Sequence, residues 1–274
     1  MAMPLLTRPP AAKTPEAPSP AQAAPAAPVL GIQHLCLDIE NADAPKEVVD
    51  MVAGFYKPPP TYKNAKKIAA HEKASAKKLE TKSALLDGAP ISVLGVVTES
   101  SATIFHSIHS KKKILSIKDI PAEIFYFASE RELLGAFREF SDPRYIPSTV
   151  IIGHNIKKYD LPKIRVGYVR NRLALPKIFT PAALEDGVRV FDTMDSFLRY
   201  FTAERAGQKF ISQEEMVARL GLPGHKNRLS GAEIPGLIAQ GKVEEVCAYN
   251  YLDCAEAYAS YLAMTGQYKD QPQP

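Results

Sequence analysis

The sequence predicts an α/β fold, in which a mixed five-stranded sheet is flanked by helices. Three strand-like segments come first, and a short polar turn at Glu99–Ser101 separates the second from the third, as in an antiparallel hairpin. The later strand-like segments alternate with helical patterns. That succession is typical of a mixed sheet with helices on its faces. The five predicted strands fall at 32–40, 90–98, 102–108, 148–155 and 188–193.

The helical patterns carry sequence signals for their first residues. Ser129 and Glu132 form a capping-box pattern ahead of apolar residues at helical spacing. Asp160 and Pro162 open a second helix, because proline is well tolerated in a first turn. After the last strand, the chain is predicted to be mostly helical to about Gly266, interrupted by a loop at 221–231.

The chain is predicted to have one folded domain between two flexible ends. Residues 1–28 hold eight prolines and nine alanines, which offer too little bulky apolar surface to offset the entropy of ordering. The folded domain is expected at residues 29–266, and residues 267–274 are expected to form a flexible end. No apolar run reaches the roughly 18 residues of a membrane span. Three cysteines without a CxxC pattern suit a reducing compartment, so we expect a cytoplasmic protein with no membrane contact.

Positive charge is concentrated in an insertion at 57–82, where a helix is predicted after Pro60. The insertion has eight lysines against two glutamates, a net +6, whereas the whole chain has +4, so the remainder carries 4 − 6 = −2. These lysines could bind phosphates, and Tyr56 and Tyr62 could stack on bases. The alternative is a solvated helix whose lysines only maintain solubility.

Two acidic residues lie at the end of the first predicted strand. Asp38 and Glu40 are two positions apart, so their side chains point to the same face, which Cys36 shares. Adjacent carboxylates repel each other unless a cation joins them, and oxygen ligands suit Mg²⁺ or Mn²⁺. The alternative is a strand end that frays into solvent and merely exposes both acids.

Further candidate residues follow later in the chain. Asp160 starts a helix after a buried strand, where an aspartate commonly serves as an N-cap. Tyr249 and Asp253 are four apart in a predicted helix and therefore share one face. Taken singly, Tyr249 could be a core residue and Asp253 a residue of the rim. The cysteines are interpreted as small buried apolar residues, and His154 and His225 as loop residues rather than metal ligands.

The order of these motifs resembles the DEDD superfamily of 3′–5′ exonucleases, which have an RNase H-like fold. Asp-x-Glu comes early, Asn-x3-Tyr-Asp midway and Tyr-x3-Asp late. The last spacing resembles the DEDDy branch; position 248 is alanine, so the histidine variant does not match. Over about 31–266 the chain is similar to predicted exonucleases related to the exonuclease domain of family B DNA polymerases. That likeness is carried by FDTMD at 191–195 and by Gly221, Gly224, Lys226, Gly231, Gly241, Tyr249 and Asp253.

The resemblance implies a two-metal mechanism with two Mg²⁺ (or Mn²⁺) ions. It implies that Asp38, Glu40 and Asp253 hold one ion, and that Asp38 bridges to the second, where Asp160 assists through water. Tyr249 would position the attacking water, because a tyrosine pKa near 10 makes a poor base at neutral pH. The residues expected to bind the nucleotide are Asn155, Tyr159 and Lys226.

The expected activity is exonucleolytic release of 5′-mononucleotides from a 3′ end, with single-stranded DNA favoured as substrate. A role in DNA repair, recombination or phage replication would fit, with a polymerase or another replication or repair protein as a partner. Two alternatives stay open. The chain could be a 3′–5′ exoribonuclease of the same fold, since no residue pattern reads the 2′-hydroxyl, or a nucleic-acid-binding module that has lost turnover.

Overall fold

The computed structural model describes residues 31–110, 114, 116–180, 189–202, 209–224 and 229–267. The predicted flexible segment at 1–28 and residues 268–274 lie outside the described residues, as do His225 and Lys226.

The sheet of the described residues is mixed, as predicted, but it has six strands rather than five. Their order is β4-β3-β2-β1-β5-β6; β1 pairs antiparallel with β2 and β2 with β3, and the other neighbouring pairs are parallel. The prediction missed β4, a short edge strand of four residues in which only Ile124 is buried. The strands are β1 (His34–Asn41), β2 (Ile91–Val97), β3 (Ala102–His106), β4 (Glu123–Tyr126), β5 (Val150–Gly153) and β6 (Arg189–Asp192).

The predicted helices are present where the sequence signals place them. Ser129 caps its helix by accepting a hydrogen bond from the Glu132 N–H, while the Glu132 carboxylate accepts one from the Ala128 N–H. Short 3-10 turns occupy Ser83–Leu85 and Lys177–Phe179. The described α-helices are α1 (Lys46–Phe55), α2 (Ala65–Thr81), α3 (Glu130–Ser141), α4 (Asp160–Arg170), α5 (Thr193–Tyr200), α6 (Gln213–Arg219), α7 (Ile234–Ala239) and α8 (Val243–Met264).

The two faces of β1 are covered by different helices. Leu35, Leu37 and Ile39 belong to the main apolar core, together with buried residues of α3 and α4. Cys36, between them, packs instead with residues of α8. Because side chains alternate along a strand, Asp38 and Glu40 also lie on the α8 face. The alternation that builds the core therefore selects which residues of β1 meet α8.

A helical hairpin is inserted between β1 and β2. We name α1 and α2, residues 46–81, the α1–α2 arm; its helices pack through a small apolar cluster that includes Val49 and Leu79. The segment that leads from β1 into the arm lies beside the segment that leads from the arm to β2. The two are joined by a hydrogen bond from the Ala42 N–H to the Pro90 carbonyl at 3.1 Å. The predicted basic helix is confirmed as α2. The arm therefore emerges at the end of β1 that carries the acidic pair.

Candidate active site

Three of the four predicted acidic ligands form one cluster. One carboxylate oxygen from each of Asp38, Glu40 and Asp253 lies within 4.8 Å of the other two. Glu40 is 9% exposed, and Asp38 and Asp253 are half-buried. The cluster is thus partly shielded from solvent by the fold.

Strand periodicity and one crossing helix bring these residues together. Asp38 and Glu40 point toward α8, and Asp253 lies on α8. The Cys36 thiol donates a hydrogen bond to the Cys254 carbonyl at 3.1 Å, which fixes β1 against α8 beside the acids. All three cysteines of the described chain are buried and free, as predicted.

A buried amide that sequence reasoning missed holds Asp38 in place. The Asn250 amide nitrogen donates to the Asp38 carboxylate at 2.8 Å and to the Asp38 carbonyl at 3.1 Å. Gly95 lies opposite Asp38 in the β1–β2 register. A Cβ atom at Gly95 would lie 2.0 Å from the Asn250 amide oxygen, so only glycine leaves space for this side chain. A glycine inside a strand pattern is the available sequence signal, because it often marks such a close approach.

Asp160 approaches the cluster from the other side of β1. It is the first residue of α4, and its carboxylate accepts a hydrogen bond from the Ile39 N–H at 3.3 Å. Asp160 is not the N-cap of α4, because Tyr159 occupies that position. Burial raises the pKa of Asp160 to about 7, against an ordinary value of 3.8. Asp160 lies outside the three-carboxylate group but close enough to raise the pKa values of Asp38 and Glu40.

Lys163 is a second residue that the sequence did not reveal. It lies one turn after Asp160, is 4% exposed, and donates to the carbonyls of Ala84 and Leu86 at 2.6 and 3.0 Å. Burial lowers its pKa to about 8, and its positive charge lowers the pKa of Asp160. Its ammonium group also lies 4.8 Å from the centre of the Tyr159 ring. Lys163 thereby ties α4 to the chain that returns from the α1–α2 arm.

The electrostatics of the cluster favour a cation. Burial, followed by repulsion from the neighbouring carboxylates, raises the pKa values of Asp38 and Glu40 well above the ordinary range. Within the described residues, neither Asp38 nor Glu40 forms an ion pair with lysine, arginine or histidine. A divalent cation would relieve this repulsion, and carboxylate oxygens are the ligands that Mg²⁺ and Mn²⁺ prefer. The donor set therefore fits such an ion.

Tyr249 lies on α8 one turn before Asp253. Burial and then the charges of Asp253, Glu40 and Asp38 raise its pKa above the ordinary value, with a further contribution from a hydrogen bond to Asp253. The phenol therefore stays protonated at neutral pH and can donate a hydrogen bond. A Cβ atom at Gly231 would lie 3.8 Å from the Tyr249 hydroxyl, so the chain beside Gly231 forms part of the wall of the site.

The structure places Asn155 and Tyr159 in the connection between β5 and α4. Asn155 has a positive φ of 56°, and its N–H donates to the Asp192 carboxylate at 3.1 Å. The buried amide oxygen of Asn155 has no hydrogen-bond partner among the described residues. The Tyr159 hydroxyl accepts a hydrogen bond from the Asn41 amide at 3.2 Å, which ties this connection to the end of β1.

Two further residues of this region have structural partners. Asp192 is the N-cap of α5, accepting from the Asp195 N–H at 3.1 Å, and it also accepts from the Lys157 N–H at 3.1 Å. The His154 ring lies within hydrogen-bond distance of the Thr193 hydroxyl and the Ile211 carbonyl, at 3.1 and 2.9 Å. These contacts agree with the interpretation of His154 as a loop residue.

The arrangement is of the kind that serves metal-dependent phosphodiester chemistry, with carboxylates that converge at the end of a central strand of a mixed sheet. Residues 69–191 match the family model for the exonuclease domain of family B DNA polymerases, a range that includes Asp160. No curated protein matches the chain. This match supports a family B polymerase-type exonuclease domain with an RNase H-like fold, in agreement with the predicted family and fold class.

This family assignment has two direct consequences. An exonuclease domain implies a nucleic-acid substrate. Exonuclease domains of this family use divalent metals, with which the carboxylate cluster is compatible.

In the part of the chain that the structure describes, no helix combines the length and apolar composition needed to cross a bilayer.

Proposed function

We propose that the protein is a metal-dependent 3′–5′ exonuclease that hydrolyses single-stranded DNA and releases 5′-mononucleotides, in DNA repair, recombination or phage replication. The observation that carries the proposal is the cluster of Asp38, Glu40 and Asp253, whose ligand atoms lie within 4.8 Å of one another. It is supported by the family B polymerase-type exonuclease domain.

The metal ligands in this proposal are Asp38, Glu40 and Asp253, with Asp38 shared between two sites and Asp160 assisting at the second. Divalent ions would supply charge stabilisation for both the attacking and the leaving oxygen of the phosphodiester. Asn250 holds one Asp38 oxygen at 2.8 Å, which fixes the orientation of this carboxylate beside Glu40 and Asp253. Asp160 is held by the main chain of β1, which keeps a fourth carboxylate at a fixed position beside the cluster.

Tyr249 acts in this proposal as a hydrogen-bond donor that positions the attacking water. Its raised pKa keeps the proton on the phenol, so we assign no general-base role to it. Asn155 presents an amide oxygen without a protein partner among the described residues, and it can accept a hydrogen bond from the terminal nucleotide. Tyr159 would line the same site, and Lys226 would bind phosphate, as the resemblance of its motif implies.

The test uses 5′-labelled single-stranded DNA and RNA oligonucleotides with Mg²⁺, Mn²⁺ or EDTA. We expect a ladder that shortens from the 3′ end of DNA, requires a divalent metal and disappears in Asp253→Asn. The matched control is Asp195→Asn, which removes a partly exposed acid of α5 and should retain the ladder. Preferential shortening of RNA would indicate an exoribonuclease. Binding without shortening in every metal would show a non-catalytic module and contradict the proposal.

A further inference from the structure

The α1–α2 arm presents a strongly basic surface that the catalytic site does not use. All eight lysines of residues 57–82 are exposed, and within the part of the chain that the structure describes none of them forms an ion pair. Exposed lysines commonly find acidic neighbours at helical spacing, yet here eight lysines face only Glu72 and Glu80 in the segment. The net charge of +6 therefore remains available to an anionic partner.

The lysines are arranged in rows along the outer side of α2. Counted from Lys66, Lys73 follows after seven residues and Lys77 after eleven, which is about two and about three helical turns. The three lysines therefore lie along one line over roughly 16 Å. Lys67 and Lys78 form a parallel line on the adjacent part of the surface by the same spacing. Such rows match a ligand with repeated negative charges, such as a phosphate backbone.

Exposed aromatic rings lie where α1 leads into α2. Phe55 is 76% exposed, Tyr56 54% and Tyr62 38%. Lys57 and Lys63 lie beside them in the chain. Rings of this size are seldom left in water without a role when they occur together, and aromatic rings among lysines are the usual means of holding unstacked bases.

The base of the arm is fixed to the catalytic site. Glu40 lies near the end of β1, and the chain continues from there into the arm. Where the chain leaves the arm, the Ser83 hydroxyl donates a hydrogen bond to the Asp43 carboxylate at 2.5 Å. On the other side, Lys163 holds the carbonyls of Ala84 and Leu86, one turn from Asp160. Hydrogen bonds therefore attach the base of the arm to the two elements that present Glu40 and Asp160.

We propose that the α1–α2 arm binds the single-stranded part of the substrate, with its lysine rows on phosphates and its aromatic rings on bases, and so holds the strand whose 3′ end enters the site. This inference rests on the proposed nuclease function for the site itself. The recognised chemistry is a single-stranded polyanion with accessible bases; an acidic protein would supply charge but no bases for the aromatic rings.

The first measurement is fluorescence anisotropy of a labelled single-stranded oligonucleotide with the full chain in EDTA, across a salt series. The test variant is Lys66→Gln/Lys73→Gln/Lys77→Gln, and the matched control is Lys118→Gln/Arg172→Gln/Lys177→Gln, which removes the same charge from exposed residues elsewhere. Loss of three phosphate contacts should weaken binding about 10- to 100-fold at 0.1 M salt and lower the salt slope by about two. The control should change little. Equal effects of the two variants would overturn the proposal.

Two further variants separate charge, stacking and folding. Lys66→Arg/Lys73→Arg/Lys77→Arg keeps the charge and should bind like the unmodified protein. Phe55→Ala/Tyr56→Ala should weaken binding of the single strand by about tenfold for each base that loses its stacking partner, but leave duplex binding nearly unchanged. Equal weakening on single strand and duplex would contradict the assignment of these rings to bases.

The nuclease proposal is tested apart from the arm with the p-nitrophenyl ester of thymidine 5′-monophosphate. This small phosphodiester occupies the catalytic site but does not extend to the arm, so the lysine variant should turn it over at the rate of the unmodified protein. Normal turnover together with unchanged oligonucleotide binding in that variant would refute the arm proposal alone. Absence of turnover by every protein would refute the nuclease function, while the binding comparison would still decide the role of the arm.

Discussion

The two ends of β1 contact the same helix with opposite electrostatic results. At the first end, the ring of His34 lies within hydrogen-bond distance of the hydroxyls of Tyr258 and Tyr261, at 3.3 and 3.2 Å, so each ring nitrogen has a partner. At the other end, the carboxylates of Asp38 and Asp253 are brought together although they repel each other. At the first end the described residues supply complementary partners, whereas at the other they bring like charges together.

This difference separates structure from function within a single packing interface. Residues that serve only the fold tend to have complementary partners, whereas strongly shifted pKa values cluster where a site does chemistry. The acidic end is also the end from which the α1–α2 arm emerges, and it lies beside Asp160. The contrast therefore indicates that the functional site of the domain lies at the carboxyl end of β1.

The strongest change is expected in the stability of the metal-free protein as the pH changes. Asp160 has a pKa of about 7 in the folded chain against an ordinary 3.8, so between these values the folded state binds more protons than the unfolded state. The free energy of unfolding must then fall as pH rises from about 4 to about 7, by up to about 4 kcal/mol for a shift of about three units. Thermal unfolding in EDTA at several pH values measures it.

Asp38→Asn supplies the matched comparison for this pH effect. The variant removes one repelling charge and can still accept the hydrogen bond from Asn250, so in EDTA it should melt above the unmodified protein at pH 8 and close to it at pH 5. Added Mg²⁺ should stabilise the unmodified protein more than the variant. A melting temperature that is lower for Asp38→Asn at pH 8 would contradict the account of repulsion.

The next effect concerns the space that Gly95 provides. In Gly95→Ala the added Cβ would lie 2.0 Å from the Asn250 amide oxygen, so Asn250 must move. We expect a loss of about 1–3 kcal/mol in the free energy of unfolding, as for other overpacked cores, together with reduced turnover. Gly135→Ala is the control, since nothing lies within 4 Å of its added Cβ, and it should keep both stability and turnover.

Asn250→Ala tests the positioning of Asp38 without adding volume. It removes both hydrogen bonds to Asp38, and loss of such an outer partner commonly lowers metal affinity or activity about 10- to 100-fold. We expect a raised metal requirement, measured as turnover against Mg²⁺ concentration, with partial recovery at saturating metal. An unchanged metal dependence would show that Asn250 serves packing alone.

The smallest effect is expected at the satisfied end of β1. His34→Phe leaves the hydroxyls of Tyr258 and Tyr261 without their ring partner, at a cost of about 1 kcal/mol in the free energy of unfolding. Turnover and metal dependence should not change, because this end is remote from the carboxylates along β1. A large loss of turnover with unchanged stability would remove the distinction between the two ends.

The sequence predicted the parts of the site that depend on local periodicity. Alternation along β1 placed Asp38 and Glu40 on one face, and helical spacing placed Tyr249 beside Asp253; the structure agrees with both. The contact between Gly95 and Asn250 was not predictable in this way, because it joins a strand and a helix 155 positions apart. The burial of Lys163 was not predictable for a related reason, since it depends on hydrogen bonds to carbonyls of the segment that follows the arm.

A calorimetric titration of Mn²⁺ into metal-free protein at neutral pH tests directly whether the three carboxylates bind a metal. We expect that the unmodified protein binds Mn²⁺, that Glu40→Gln binds it much more weakly, and that Asp195→Asn binds it like the unmodified protein. Absence of Mn²⁺ binding, or equal binding by Glu40→Gln, would contradict the claim that Asp38, Glu40 and Asp253 form a metal site.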